Sequence, residues 1–168
     1  MAYVILFVIV CIVFFCFSKF RRKPAPDDDS LSLDLRHRYL AEFVPQHLES
    51  SGFFTPAFLE RLAAALLETG NLPKLEQGDL LEGVNLREAY AALTWCTSVA
   101  SARFKNRDVI ESAEGVGARY VYLKFTRPEV CPRKPKENRY KVGEPVPLYP
   151  CEDCDCNPAC LPWYKLSW

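Results

Sequence analysis

The sequence predicts an α+β protein with a single N-terminal transmembrane helix, a small and mainly helical domain with a β-hairpin, and a cysteine-rich loop tail. Three observations predict this class: an uncharged apolar run over residues 1–17, helix-capping residues around two later segments, and one β-rich stretch, Ala118–Phe125. The predicted segments are a membrane anchor, a charged linker, the domain and the tail, at residues 1–18, 19–30, 31–126 and 127–168.

The membrane anchor is predicted from the apolar run and its flanks. Met1–Phe17 carries no charge, and a helix of that length is about 25 Å long, near the lower limit for crossing a bilayer. Four basic residues follow directly: Lys19, Arg21, Arg22 and Lys23. Because positive flanks stay on the cytoplasmic side, we expect a single-pass membrane protein with most of the chain in the cytoplasm. A cleaved signal peptide is disfavoured, since it would carry basic residues before the run.

Three helices are predicted in the domain. The first begins near Ser32 and ends near Val44, because Pro45 disfavours its continuation. The second has Thr55 as its N-cap, with a proline at the first helical position, and it stops at Gly70. The third begins at a capping asparagine and carries one apolar face, which we expect to form core: Leu86, Ala89, Tyr90, Leu93, Cys96, Ala100 and Phe104.

One strand is predicted, Ala118–Phe125, because it is rich in β-forming residues and partly alternates, and it needs a partner. The partner is expected at residues 140–142 or 146–149. From Arg127 onward the density of proline predicts loops and turns. This stretch is locally basic, but no aromatic residues alternate with its charges in the way that stacks bases, so we expect a solvated loop and no nucleic-acid partner.

Five cysteines of the tail predict a cross-link. Cys151 and Cys154 have the spacing of a zinc knuckle, and the favoured ligand set is Cys131, Cys151, Cys154 and Cys156, with Cys160 as the alternate. Four thiolates would form a closed, structural zinc site in a reducing compartment. Disulfides are the alternative if the tail is exported, and a tail without a bound partner is the third. The aromatic residues near the end would either cover the site or offer a patch to a partner.

The C-terminal third resembles the phage head-morphogenesis (minor head protein) family over roughly residues 101–156. The residues that carry the resemblance are Ser101-Ala102-Arg103, Gly115-Val116, Tyr120-Val121-Tyr122, Val130-Cys131-Pro132, Gly143, Pro150-Cys151 and Cys154-Asp155-Cys156. The resemblance implies a metal knot that includes Cys131, Cys154 and Cys156.

Composition limits the function. The chain has 168 residues, and its 21 Lys and Arg residues balance 21 Asp and Glu residues, so net charge does not indicate a nucleic-acid partner. The motifs G-x-S-x-G and H-E-x-x-H and a phosphate-binding glycine loop do not occur in the sequence.

The sequence therefore predicts a non-catalytic, membrane-tethered interaction or scaffold protein with a structural zinc tail. Its partners would be the lipid bilayer and a protein of unknown identity, and no small-molecule substrate is inferred. The alternatives are a small membrane-anchored hydrolase or nuclease effector, and an exported domain stabilised by disulfides.

Overall fold

The structure is a computed structural model that describes residues 26–125, 135–151 and 161–168. The described part is α+β, with three helices and a three-stranded sheet. The chain divides into two compact units, Met1–Leu33 and Asp34–Trp168, and the contacts reported below lie within the second. The elements in chain order are α1 (Pro26–Glu49), α2 (Pro56–Thr69), a 3-10 turn (Gln77–Asp79), α3 (Leu86–Ser112), β1 (Tyr120–Phe125), β2 (Arg139–Lys141) and β3 (Pro162–Ser167).

The membrane part of the predicted fold needs correction. Within residues 26–125, 135–151 and 161–168, no helix combines the length and the apolar character that a bilayer span requires. The two longest helices, α1 and α3, carry charged side chains along much of their length, and charges are costly in hydrocarbon. The prediction of a single-pass membrane protein, with its membrane localisation, is therefore wrong for this structure. The stretch on which it depended, residues 1–18, lies outside the described residues.

Helix α1 is longer at both ends than predicted. It begins at Pro26, inside the predicted linker. It also continues through Pro45 to Glu49. A proline inside a helix costs about 3 kcal/mol, but the apolar face continues across it: Val44 before the proline and Leu48 after it are both buried. The core contacts of the last turn offset the missing hydrogen bond.

Helices α2 and α3 begin where the capping residues predicted. The Thr55 side chain accepts a hydrogen bond from the Phe58 amide at 3.3 Å, and Gly70 ends α2 in the left-handed conformation, with φ of 68°. The Asn85 side chain accepts from the Arg87 amide at 2.8 Å. Helix α3 then runs for 27 residues without a break.

The core consists of two clusters that share α3. Its N-terminal half packs on α1 and α2, around Leu40, Val44, Phe58, Leu62 and Leu93. Its C-terminal end packs against one face of the sheet, where Val121, Leu123 and Tyr164 are buried. The predicted core face of α3 is wrong at Leu86 and Tyr90, which are 40% and 59% exposed. In their place Arg103 and Asn106 are buried.

The sheet has the order β2-β1-β3, and both pairings are antiparallel. The predicted strand β1 is present, and its expected partner lies at Arg139–Lys141. Strand β3, Pro162–Ser167, was not predicted, because the prolines and cysteines before it suggested irregular structure throughout the tail. It pairs with β1 over all six residues, so this end of the chain contributes regular structure.

Candidate functional site

The most distinctive surface of the described chain is the side of the sheet that faces away from α3, which we call the outer sheet face. Side chains alternate between the two sides of a strand. In β1, Val121 and Leu123 are buried while Tyr120 and Tyr122 are half-buried and Lys124 is exposed on the other side. In β3, Tyr164 is buried and Trp163 and Lys165 are exposed. The outer sheet face thus combines aromatic rings with lysines.

The strand register brings these side chains into rows. Tyr120 lies between Lys141 and Ser167, and Tyr122 lies between Arg139 and Lys165. Lys124 lies opposite Trp163. The eight described residues of the outer sheet face are therefore Tyr120, Tyr122, Lys124, Arg139, Lys141, Trp163, Lys165 and Ser167.

Cations lie over the aromatic rings of this face. The Arg139 guanidinium carbon is 3.7 Å from the centroid of the Tyr120 ring and 5.8 Å from that of Tyr122. The Lys124 amine nitrogen is 5.6 Å from the Tyr122 centroid. Such cation–π contacts are attractive and orient both partners. They hold the rings and charges of β1 and β2 together as one surface, while Trp163 remains 47% exposed.

The charge of the outer sheet face has one sign. Four of its eight described residues are cationic and none is acidic. The nearest acids in sequence, Glu137 and Glu144, flank β2 in its adjoining turns. The Glu144 carboxylate accepts from the backbone amide of Lys141 at 3.3 Å, so it is tied to the main chain of the turn. An anionic partner would therefore meet a positive surface with aromatic rings at its centre.

Polar contacts on the side of the sheet that faces α3 hold the sheet in position. The Tyr164 hydroxyl donates to the Pro147 carbonyl and accepts from the Tyr149 amide, and burial raises the pKa of Tyr164. On α3, Asn106 donates to the carbonyls of Tyr149 and Pro162 at 2.8 and 2.9 Å. These bonds fix β3, and with it Trp163 and Lys165, relative to helix α3.

The predicted zinc site is not brought together in the described part of the chain. Cys131, Cys154 and Cys156, and the alternate Cys160, lie outside the described residues, while Cys151 is half-buried at the end of a loop. Among residues 26–125, 135–151 and 161–168, no group of three or more His, Cys, Asp or Glu side chains is arranged to bind a metal. Metal binding as a property of this part of the chain is therefore a wrong prediction. The four-thiolate zinc site itself stays a prediction.

The described cysteine and histidine side chains on the helices pack against neighbouring residues of the fold. Cys96 is packed against the helical core, and burial raises the pKa of its thiol to about 12, which leaves little thiolate for nucleophilic chemistry. The His47 Nδ1 donates to the Phe43 carbonyl at 2.8 Å, and its ring is stacked 3.7 Å from the Phe43 ring. His37 lies against Gly70.

A cavity of about 300 Å³ lies where the end of α1 meets α2. Its lining is mostly apolar with two carboxylates and one amide: Pro45, Gln46, Glu49, Pro56, Leu59, Glu60 and Ala63. This lining contains no hydroxyl, thiol or imidazole, so the cavity does not offer a nucleophile with an adjacent base.

No match to this chain was found among models of known families, curated proteins or solved structures. The resemblance to the phage head-morphogenesis family therefore stays a prediction.

The outer sheet face was missed by the sequence analysis for a definable reason. Within the basic loop's own stretch of sequence, aromatic rings are few. The structure supplies them from β1 and β3, which lie about 40 positions apart in the chain. The signal that could have found this face is the alternation in β3, where Trp163 and Lys165 are separated by a buried tyrosine.

Proposed function

We propose that this chain is a non-catalytic binding module whose binding surface is the outer sheet face and whose partner is anionic. The observation that carries the proposal is the composition of that face: four cations, three aromatic rings and no carboxylate among eight described residues. A surface of one charge sign attracts partners of the opposite sign and raises their association rate.

The rest of the described chain supports a binding role more than a catalytic one. The buried polar groups Arg103 and Asn106 are engaged with backbone carbonyls. The Cys96 thiol has a raised pKa. Asn106 holds strand β3 in place through the Pro162 carbonyl, and the sheet then presents its outer face.

The test is a charge reversal with a matched control. The double variant Lys124→Glu/Arg139→Glu changes two cations of the outer sheet face. The control Lys74→Glu/Lys105→Glu makes the same change in net charge at two exposed positions outside the sheet. Binding to heparin, a flexible polyanion, is measured by titration at low salt, because screening weakens such contacts at high salt.

We expect the sheet variant to lose at least about tenfold in heparin affinity, as two direct charge contacts are lost, and the control to retain affinity within about twofold. Equal losses in the two variants would mean that only net charge matters, and the proposal would be wrong. Circular dichroism of each variant checks that the fold is retained.

A further inference from the structure

We infer that the anionic partner of the outer sheet face is single-stranded nucleic acid, with its bases stacked on the aromatic rings and its phosphates paired with the cations. This inference rests on the proposed function and gives its partner a chemical class. The chemistry is shared by RNA and DNA, and the experiment below includes both.

The first argument is the placement of rings relative to charges. The two tyrosines of the central strand occupy the middle of the face, with Arg139 and Lys141 on one side and Lys165 on the other. A nucleic-acid strand laid across the sheet would place bases over the middle and phosphates over the edges. Surfaces that bind single strands combine these two features, a stacking platform and a positive groove.

The second argument is exposure. Trp163 is 47% exposed, and Tyr120 and Tyr122 are half-buried, so each ring offers surface to a ligand. The Arg139 guanidinium, 3.7 Å from the Tyr120 centroid, is planar and itself stacks on bases. A base can therefore stack either on a ring or on the guanidinium that covers it.

The third argument distinguishes this partner from a protein. Lysine is depleted in protein–protein interfaces, yet three of the eight described residues of the face are lysines: Lys124, Lys141 and Lys165. Lysine is, in contrast, a common contact of phosphate groups. A duplex is disfavoured because its bases are stacked on each other and offer no free ring face to Tyr122 or Trp163.

The experiment uses the full chain and labelled oligothymidine and oligouridine of about 12 nucleotides, within the range that one small domain covers. Fluorescence anisotropy at several salt concentrations gives the affinity and its salt dependence. Tyr122→Thr and Trp163→Thr remove rings with residues that favour strands. Lys124→Gln and Lys165→Gln remove charges. The control Tyr90→Leu removes a 59% exposed ring from α3.

Each ring variant is expected to weaken binding of the single strand by about tenfold or more without changing the salt slope, because stacking does not depend on counterions. Each charge variant is expected to lower the salt slope by about one unit. Tyr90→Leu is expected to bind as the unaltered chain does, and a duplex of the same length is expected to bind more weakly than the single strand.

The outcomes separate this inference from the proposed function. If the charge variants weaken binding but the ring variants do not, or if duplex and single strand bind equally, the face binds polyanions in general. The inference is then wrong and the proposed function stands. If an acidic peptide competes as well as an oligonucleotide of equal charge, the partner class is a protein and the inference is again wrong. If neither kind of variant affects binding of heparin or oligonucleotide, both proposals are wrong.

Discussion

Single residues of this chain owe their chemistry to where the fold places them, and Cys96 is the clearest case. It lies on α3 among residues of the helical core, and its sulfur is 3.8 Å from the Val44 carbonyl, to which the thiol donates. The sequence analysis interpreted Cys96 as a small buried hydrophobe, and its position fits that interpretation. Apolar periodicity predicts such burial, but it cannot reveal a polar neighbour 52 positions away.

The Cys96 thiol is expected to resist alkylation in the folded protein. Burial raises its pKa from 9.0 to about 12, and the thiolate is the reacting form. Near pH 8 we expect iodoacetamide to modify Cys96 at least about 100-fold more slowly in the folded chain than in urea. The measurement is mass spectrometry of the tryptic peptide from Glu88 to Arg103, in which Cys96 is the only cysteine. Similar rates in the two conditions would show that the thiol is accessible.

At the scale of elements, helix starts were more predictable than strands. Thr55 and Asn85 cap their helices by local hydrogen bonds, and a local interaction leaves a local signal. Strand β3 depends on β1, which is distant in sequence. Its six residues follow a stretch rich in proline and cysteine, so the context obscured an alternation that is present. The passage of α1 through Pro45 was also unpredictable, because core contacts decide it.

The end of α2 allows a sharp test of how one residue stops a helix. Gly52 and Gly70 both have φ of +68°, but a Cβ at Gly52 meets open space, whereas a Cβ at Gly70 would overlap with the His37 ring. Gly52→Ala is expected to cost about 1 kcal/mol of unfolding free energy through backbone strain alone. Gly70→Ala is expected to cost more, because the imidazole must also move.

Urea denaturation measures the unfolding free energy of Gly52→Ala and of Gly70→Ala. Adding His37→Ala to Gly70→Ala should recover the excess cost and leave only the backbone term, after correction for His37→Ala alone. If Gly52→Ala and Gly70→Ala are equally destabilised, the close approach of His37 has no energetic weight.

At the scale of the whole molecule, α3 joins the two core clusters, and buried polar side chains near its C-terminal end reach the tail. Arg103 donates to the Pro150 carbonyl, and its side chain also contacts Tyr39 on α1. Asn106 reaches both the loop before Cys151 and strand β3. Neither residue could be identified as buried from the sequence, because arginine and asparagine are usually exposed. The position of the outer sheet face depends on these same contacts between residues that are distant in the sequence.

We expect Asn106 to be essential for holding the loop before Cys151 and strand β3 against α3. Its amide donates to the carbonyls of Tyr149 and Pro162, and Asn106→Leu removes both hydrogen bonds, the second of which is buried. We expect a loss of about 2–4 kcal/mol in unfolding free energy, measured by urea denaturation. Lys105→Leu, at the neighbouring exposed position of the same helix, is the control and should change stability by less than about 0.5 kcal/mol. A loss of similar size in both variants would contradict the role given to the amide.

The acceptors of these bonds have a consequence for how the chain can vary. Arg103 and Asn106 bind main-chain oxygens, at positions 149, 150 and 162, and every amino acid carries such an oxygen. Substitution at those three positions leaves the acceptor in place, whereas substitution of either donor removes it. In a saturation library selected for folded protein, the two donors on α3 should therefore tolerate few replacements, whereas their exposed neighbour Lys105 should tolerate many.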